Sequence, residues 1–235
     1  EKSAQRGNKN ARYQLAKLIL GGSAATPEEI TQAVEWLTQA AEDGSQYAQY
    51  TLGKLYRDGG PIESDRVQAV IWFSEAAEQG HEYAMYALGK LDLEVGNVEA
   101  ALRWFQRASE LGNQFAQYQL GKLLLSGEGV PKDVGEAVRW LTASANQGNQ
   151  YAQYVLGKLC LLGKDIPQDR EAAVHWFTLA AGQGNEYAQY FLDHMNDRQG
   201  PPLLTSATRL LHHMSRIFQE EAPPVQPGIH FVESK

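Results

Sequence analysis

Gly44-Ser45-Gln46-Tyr47-Ala48-Gln49-Tyr50-Thr51-Leu52-Gly53-Lys54-Leu55 decides the fold of this 235-residue chain, because the phrase returns. It recurs as GHEYAMYALGKL from Gly80, GNQFAQYQLGKL from Gly112 and GNQYAQYVLGKL from Gly148. GNEYAQYFLDHM from Gly184 starts alike and then departs, and GNKNARYQLAKL from Gly7 is a looser opening copy. Successive glycines lie 37, 36, 32, 36 and 36 residues apart. The five tryptophans, Trp36, Trp72, Trp104, Trp140 and Trp176, keep the same period, including the four-residue deletion in the third unit. A period of this length marks stacked structural repeats.

Each unit reads as two helices. Within the phrase, Ala48, Leu52 and Leu55 fall at i, i+4 and i+7 and form one apolar stripe, while Gly53 is small enough to admit a neighbouring helix. We name this helix A. It ends in segments such as Asp58-Gly59-Gly60-Pro61 or Gly127-Glu128-Gly129-Val130-Pro131, where helix cannot continue. Asp65, Asp133 and Asp169 then stand as N-caps, and Thr26-Pro27-Glu28-Glu29 supplies a cap, a first-position proline and a capping-box glutamate. Helix B follows, as AVEWLTQAAEDG, AVIWFSEAAEQG, ALRWFQRASELG, AVRWLTASANQG and AVHWFTLAAGQG. Its Ala, Trp and later Ala are expected on the buried face, with all five tryptophans in the core, and its closing glycine suits a left-handed C-terminal cap. Neither helix can bury its stripe alone, so the units stack into one elongated all-α domain over residues 1–198.

Both ends carry further expectations. Ser3-Ala4-Gln5-Arg6-Gly7 matches Ser144 to Gly148, so the chain reads as beginning inside a helix B. Leu203, Ala207, Leu210, Leu211, Met214, Ile217 and Phe218 predict a capping helix over 199–221. Residues 222–235 read as a proline-rich linker and extended tail.

Composition narrows the function. With 43% apolar and 21% charged residues the chain can fold around a core, and a net charge of −7 disfavours nucleic acid as a partner of the chain as a whole. The single cysteine, Cys160, cannot pair within the chain and points to a reducing, cytoplasmic setting, where it serves as a small buried hydrophobe. No apolar run is long enough to span a membrane. No phosphate loop, nucleophile with a base, or zinc spacing is present; Asp193, His194, Asp197, His212 and His213 lack metal-site geometry. We expect no catalytic residues, no metal and no cofactor.

The phrase A-x-x-x-L-G, a Gly-rich turn with Pro and Asp, and then A-x-x-W-x-x-x-A-x-x-G at 36 residues resembles the Sel1-like repeat, a relative of the tetratricopeptide repeat. The resemblance covers residues 3 to 195 and is weakest at 21–26, 94–97 and 193–195. It implies a right-handed α-solenoid whose concave wall is lined by A helices, and a role as an adaptor. Residues 207–218 after the repeats also resemble the C-terminal region of some MobA/MobL-type mobilisation relaxases of gut Firmicutes. That resemblance implies an accessory module of a larger mobilisation protein, with nicking carried elsewhere.

One face of helix A repeats beyond what packing demands. Opposite Ala48 lie Tyr50 and Lys54, with Tyr47 close by, and the set returns as Tyr83, Tyr86 and Lys90, as Phe115, Tyr118 and Lys122, and as Tyr151, Tyr154 and Lys158. Tyr187 and Tyr190 end the series. Most acids sit on helix B or in turns instead. Two readings follow: the tyrosines pack between neighbouring A helices and the lysines solvate the surface, or the face binds a protein or peptide, acidic or carboxylate-ended. A nucleic-acid accessory module is the alternative, recognisable by strongly salt-dependent DNA binding.

Overall fold

The computed structural model describes residues 9–22 and 25–195, and every regular element among them is an α-helix. In chain order these are α1 (Lys9–Leu20), α2 (Pro27–Glu42), α3 (Gln46–Asp58), α4 (Arg66–Glu78), α5 (Glu82–Glu94), α6 (Val98–Glu110), α7 (Gln114–Ser126), α8 (Val134–Asn146), α9 (Gln150–Leu162), α10 (Arg170–Ala181) and α11 (Glu186–His194). Odd-numbered helices are the A helices and even-numbered ones the B helices. The chain divides into two compact units, one reaching Ala116 and one beginning at Gln117. The expected capping helix and tail, at 199–221 and 222–235, lie outside the described residues, as does Ser3–Gly7.

Local chemistry sets the helix ends. Asp65 accepts from the backbone N–H of Val67 and Gln68, Asp133 from Glu136 and Asp169 from Ala172, satisfying donors that the first turn leaves open. Thr26 and Glu29 form the reciprocal capping box with Pro27 at the first helical position. At the other end, the glycine after each helix B takes positive φ, 83° at Gly44 and 90° at Gly184. Gly44 N–H then reaches Ala41 O, and Ser45 N–H reaches Ala40 O, the Schellman arrangement.

The core departs from expectation at the tryptophans. All five are half-buried, and the residue after each is the one in the core: Leu37, Phe73, Phe105, Leu141 and Phe177 are each 0% exposed. On α2 the inward stripe is Ala33, Leu37, Ala40 and Ala41, and Trp36 lies about 100° round the helix from Leu37. The indole therefore flanks the core rather than filling it.

Small residues on the A helices receive these side chains. A Cβ added to Gly53 would stand 2.7 Å from Phe73 Cδ1; Gly89 meets Phe105 at 2.6 Å, Gly121 meets Leu141 at 2.7 Å and Gly157 meets Phe177 at 2.7 Å. Only glycine allows α3 and α4 to approach this closely, as the sequence predicted for Gly53. Cys160 is buried as expected, and burial pushes its thiol up.

Adjacent repeats are also tied by a matched polar pair. Gln79 donates to Gln49 Oε1 at 2.7 Å, while Gln49 Nε2 donates to Ala41 O at 3.1 Å. Gln49 thus joins the helix B before it to the helix B after it. Gln183 with Gln153 and Gln147 with Gln117 repeat the bond at 2.8 Å.

Candidate partner-binding face

The aromatic residues of the repeated phrase interlock from one A helix to the next. The second ring of each copy meets the first ring of the following copy. In the first unit Tyr13 stacks on Tyr47 at 6.2 Å between centroids, Tyr50 meets Tyr83 at 6.2 Å and Tyr86 meets Phe115 at 5.9 Å. In the second, Tyr118 meets Tyr151 at 6.0 Å and Tyr154 meets Tyr187 at 6.2 Å. Aromatic pairs at such separations contribute about 0.5–1.5 kcal/mol each beyond area burial.

In four of the five copies with two rings, the rings differ in exposure. Tyr86, Tyr118 and Tyr154 are buried, at 9%, 7% and 1% exposure, because their rings turn back onto the helix B core; Tyr86 and Tyr154 lie 5.9 and 6.0 Å from Phe105 and Phe177. Tyr47 is exposed, and Tyr50, Tyr83, Phe115, Tyr151, Tyr187 and Tyr190 are half-buried. Burial pushes the Tyr50 phenol up to about 12 and that of Tyr154 further still, so both remain neutral hydroxyls.

Lys54, Lys90, Lys122 and Lys158 are half-buried beside these rings. Lys158 Nζ stands 6.0 Å from the Tyr154 ring centroid. Burial holds Lys54 below its ordinary value and brings Lys158 down to about 8. Among the described residues, no carboxylate lies within 4.0 Å of Lys54, Lys90 or Lys158. In the last copy His194 takes the lysine position and stacks on Tyr190 at 4.1 Å, closing that end of the ladder.

Two residues of this face escaped the sequence reading. Tyr13 occupies the second aromatic place of the opening copy, a position legible from alignment of the phrase. His81 stands where other copies hold Ser45, Asn113, Asn149 and Asn185. It stacks on Tyr50 at 4.6 Å and meets Tyr47 edge-on at 5.5 Å, and its Nδ1 accepts the Ala84 N–H. Burial lowers it to about 4, so the ring is neutral at physiological pH.

Other features lack site geometry. A recess lined by Tyr56, Arg57, Asp58, Ser64, Arg66, Leu91 and Glu94 has its charges paired within itself, Arg57 with Asp58 and Arg66 with Glu94. Among the described residues no group of three His, Cys, Asp or Glu side chains is placed to hold a metal ion, and no helix is long and apolar enough to cross a membrane.

Comparison with known proteins matches the Sel1 repeat over residues 9–45, 46–81, 82–113, 114–149 and 150–185. The fold is similar to that of a protective antigen of uropathogenic Escherichia coli displaying an SLR fold, at 29% identity and a TM-score of 0.76, covering 99% of this chain and 52% of that one. A Sel1 repeat protein from Oxalobacter formigenes is 34% identical with a TM-score of 0.72, covering 83% of this chain and 57% of that one. An immunity protein from Pseudomonas aeruginosa, at 24% identity and a TM-score of 0.53, shares the fold; the match covers 83% of this chain and 73% of that one. The chain spans little more than half the length of the first two. No curated protein matches it significantly. The comparisons do not support the mobilisation-relaxase resemblance, whose residues 207–218 lie outside the described ones.

Proposed function

The chain belongs to the Sel1 repeat family of α-solenoids, and on that premise we propose that its A-helix face binds an acidic segment of a partner protein. Sel1 repeat proteins generally act as scaffolds for protein interaction rather than as catalysts. One observation carries the finer reading: a lysine stands at the same place in four successive phrases, beside half-buried rings, and three of the four have no carboxylate within 4.0 Å among the described residues. Packing alone does not dictate a lysine at that place, since any long side chain could lay its stem on the rings. Repeated ammonium groups within each unit of a chain of net charge −7 attract carboxylates by electrostatic complementarity.

The aromatic edges supply contact area at low entropic cost, led by Tyr47 and the first rings Tyr83, Phe115, Tyr151 and Tyr187. The buried second rings hold those edges in place. A cytoplasmic setting rests on the single unpaired, buried cysteine. The proposal is tested by fluorescence anisotropy with an acidic peptide and its glutamine counterpart across a salt series. The acidic peptide should bind more tightly, with affinity that falls with salt but persists. Equal binding of the two peptides removes the reading.

A further inference from the structure

We propose that His81 offers its Nε2–H to a main-chain carbonyl of the partner, so that the bound segment is extended where it meets Tyr47, Tyr50 and Tyr83. The inference rests on the reading of this face as a partner surface and adds the backbone conformation that the first unit selects. His81 Nδ1 accepts the Ala84 N–H at 3.3 Å. An imidazole nitrogen that accepts carries no proton, so in the neutral ring the proton stands on Nε2. Burial keeps the ring neutral at physiological pH. Among the described residues this Nε2–H has no hydrogen-bond partner, although His81 is only 8% exposed. The atom is not sealed in the core either, so an incoming acceptor can reach it.

Capping alone does not account for a histidine here. Asn113, Asn149 and Asn185 fill the same place and cap Ala116, Ala152 and Ala188 at 2.9, 3.1 and 3.0 Å. What the imidazole adds is a ring stacked on Tyr50 at 4.6 Å and set edge-on to Tyr47 and Tyr83 at 5.5 and 6.2 Å, with a second nitrogen across the ring from the cap. The acceptor that fits this donor is neutral. A carboxylate beside the ring would favour the imidazolium, whose Nδ1–H cannot accept the Ala84 bond. A main-chain carbonyl makes no such demand. An α-helix has already given its carbonyls to its own N–H groups, whereas a polyproline II segment has no internal hydrogen bonds and leaves its carbonyls open. Aromatic-lined surfaces dock such extended segments. The lysines thus read charge, and His81 reads backbone.

The test follows the His81 ring nitrogens of the full, isotope-labelled chain by long-range proton–nitrogen correlation, assigned through their loss in His81→Asn. Three peptides are titrated to saturation: an alternating Glu-Pro peptide, an alternating Ala-Pro peptide of the same length, and an Ala-rich helical peptide with as many glutamates as the first. The free chain should hold the proton on Nε2. Both proline peptides should shift the Nε2 signal downfield while Nδ1 stays an acceptor, and the helical peptide should leave both in place. By fluorescence anisotropy His81→Asn, which keeps the helix cap, should bind the two proline peptides about fivefold more weakly. A proton on Nδ1 in the free chain, a Nε2 signal that neither proline peptide moves, or one that the helical peptide moves equally overturns the proposal. So does a shift with the Glu-Pro peptide alone, which makes the side-chain acid the acceptor. Ala-Pro binding as tight as Glu-Pro, with the shift intact, removes the acidic-partner reading and leaves the carbonyl contact standing.

Discussion

Gln79 donates its side-chain amide to Gln49 Oε1 at 2.7 Å, and in the five repeats from Arg12 to Gln183 the same two places are filled by residues of matching chemistry. In the opening repeat they hold Arg12 and Asp43, an ion pair at 3.0 Å. In the next come Gln49 and Gln79, then Met85 and Leu111, then Gln117 with Gln147 and Gln153 with Gln183. The ionic, apolar and amide versions never mix. A buried amide facing an apolar partner would lose its hydrogen bond, whereas exchanging both members removes the need for it. Gln153→Met alone should therefore destabilise by about 1–2 kcal/mol, and adding Gln183→Leu should recover part of that loss. Chemical denaturation of both singles and the double checks this; strictly additive losses would show that the pair is not coupled.

The glycine of the phrase should be intolerant for a different reason. Gly53→Ala places a Cβ about 2.7 Å from the Phe73 ring, and Phe73 is fully buried. Overpacking of this kind costs about 1–3 kcal/mol, although alanine is the better helix former. Thermal unfolding should show a lowered midpoint; an unchanged or raised one would mean that the two helices separate freely.

The order of the core is testable on α8. Leu141→Ala should cost about 2–5 kcal/mol, because Leu141 is fully buried against Gly121. Trp140→Ala should cost less, since its indole is half-buried and lies beside Arg139, whose guanidinium stands 4.3 Å from the ring centroid. Denaturant titration of the two variants gives the ranking.

Much of this architecture was legible in the sequence. The recurring phrase set the repeat, Asp65, Asp133 and Asp169 announced their helix starts, and Gly53 announced a close approach. Less visible were relations that depend on which way a side chain leaves its helix. Trp36 and Leu37 are neighbours in sequence but about 100° apart on α2, so a tryptophan marker kept the period while its successor filled the core. Gln49 and Gln153 resemble solvated surface residues until their partners, 30 residues on, are brought to them. The aromatic ladder was legible as a series, but the burial of Tyr86, Tyr118 and Tyr154 follows from packing against helix B.

His81 makes the first unit sensitive to acid. The unfolded histidine takes up a proton as pH falls through its ordinary 6.5, while the folded ring stays neutral down to about 4. The unfolded state therefore binds more protons in that window, and stability present above pH 6.5 is lost as pH falls through it, by on the order of 2 kcal/mol. Protonation would also remove the Nδ1 acceptor that caps Ala84 N–H. His81→Asn restores the residue of the three later copies, where Asn113, Asn149 and Asn185 cap their helices. The variant should keep neutral-pH stability and flatten the acid loss between 6.5 and 4 in pH-dependent unfolding.

The central claim is that the lysine row selects the charge of the partner. Its most direct test is the charge-reversed variant Lys90→Glu, Lys122→Glu and Lys158→Glu, titrated with an acidic peptide and a basic counterpart, with circular dichroism as the folding control. A variant that circular dichroism shows folded should exchange its preference from the acidic to the basic peptide. A folded variant that binds the acidic peptide as tightly as the parent would contradict the account.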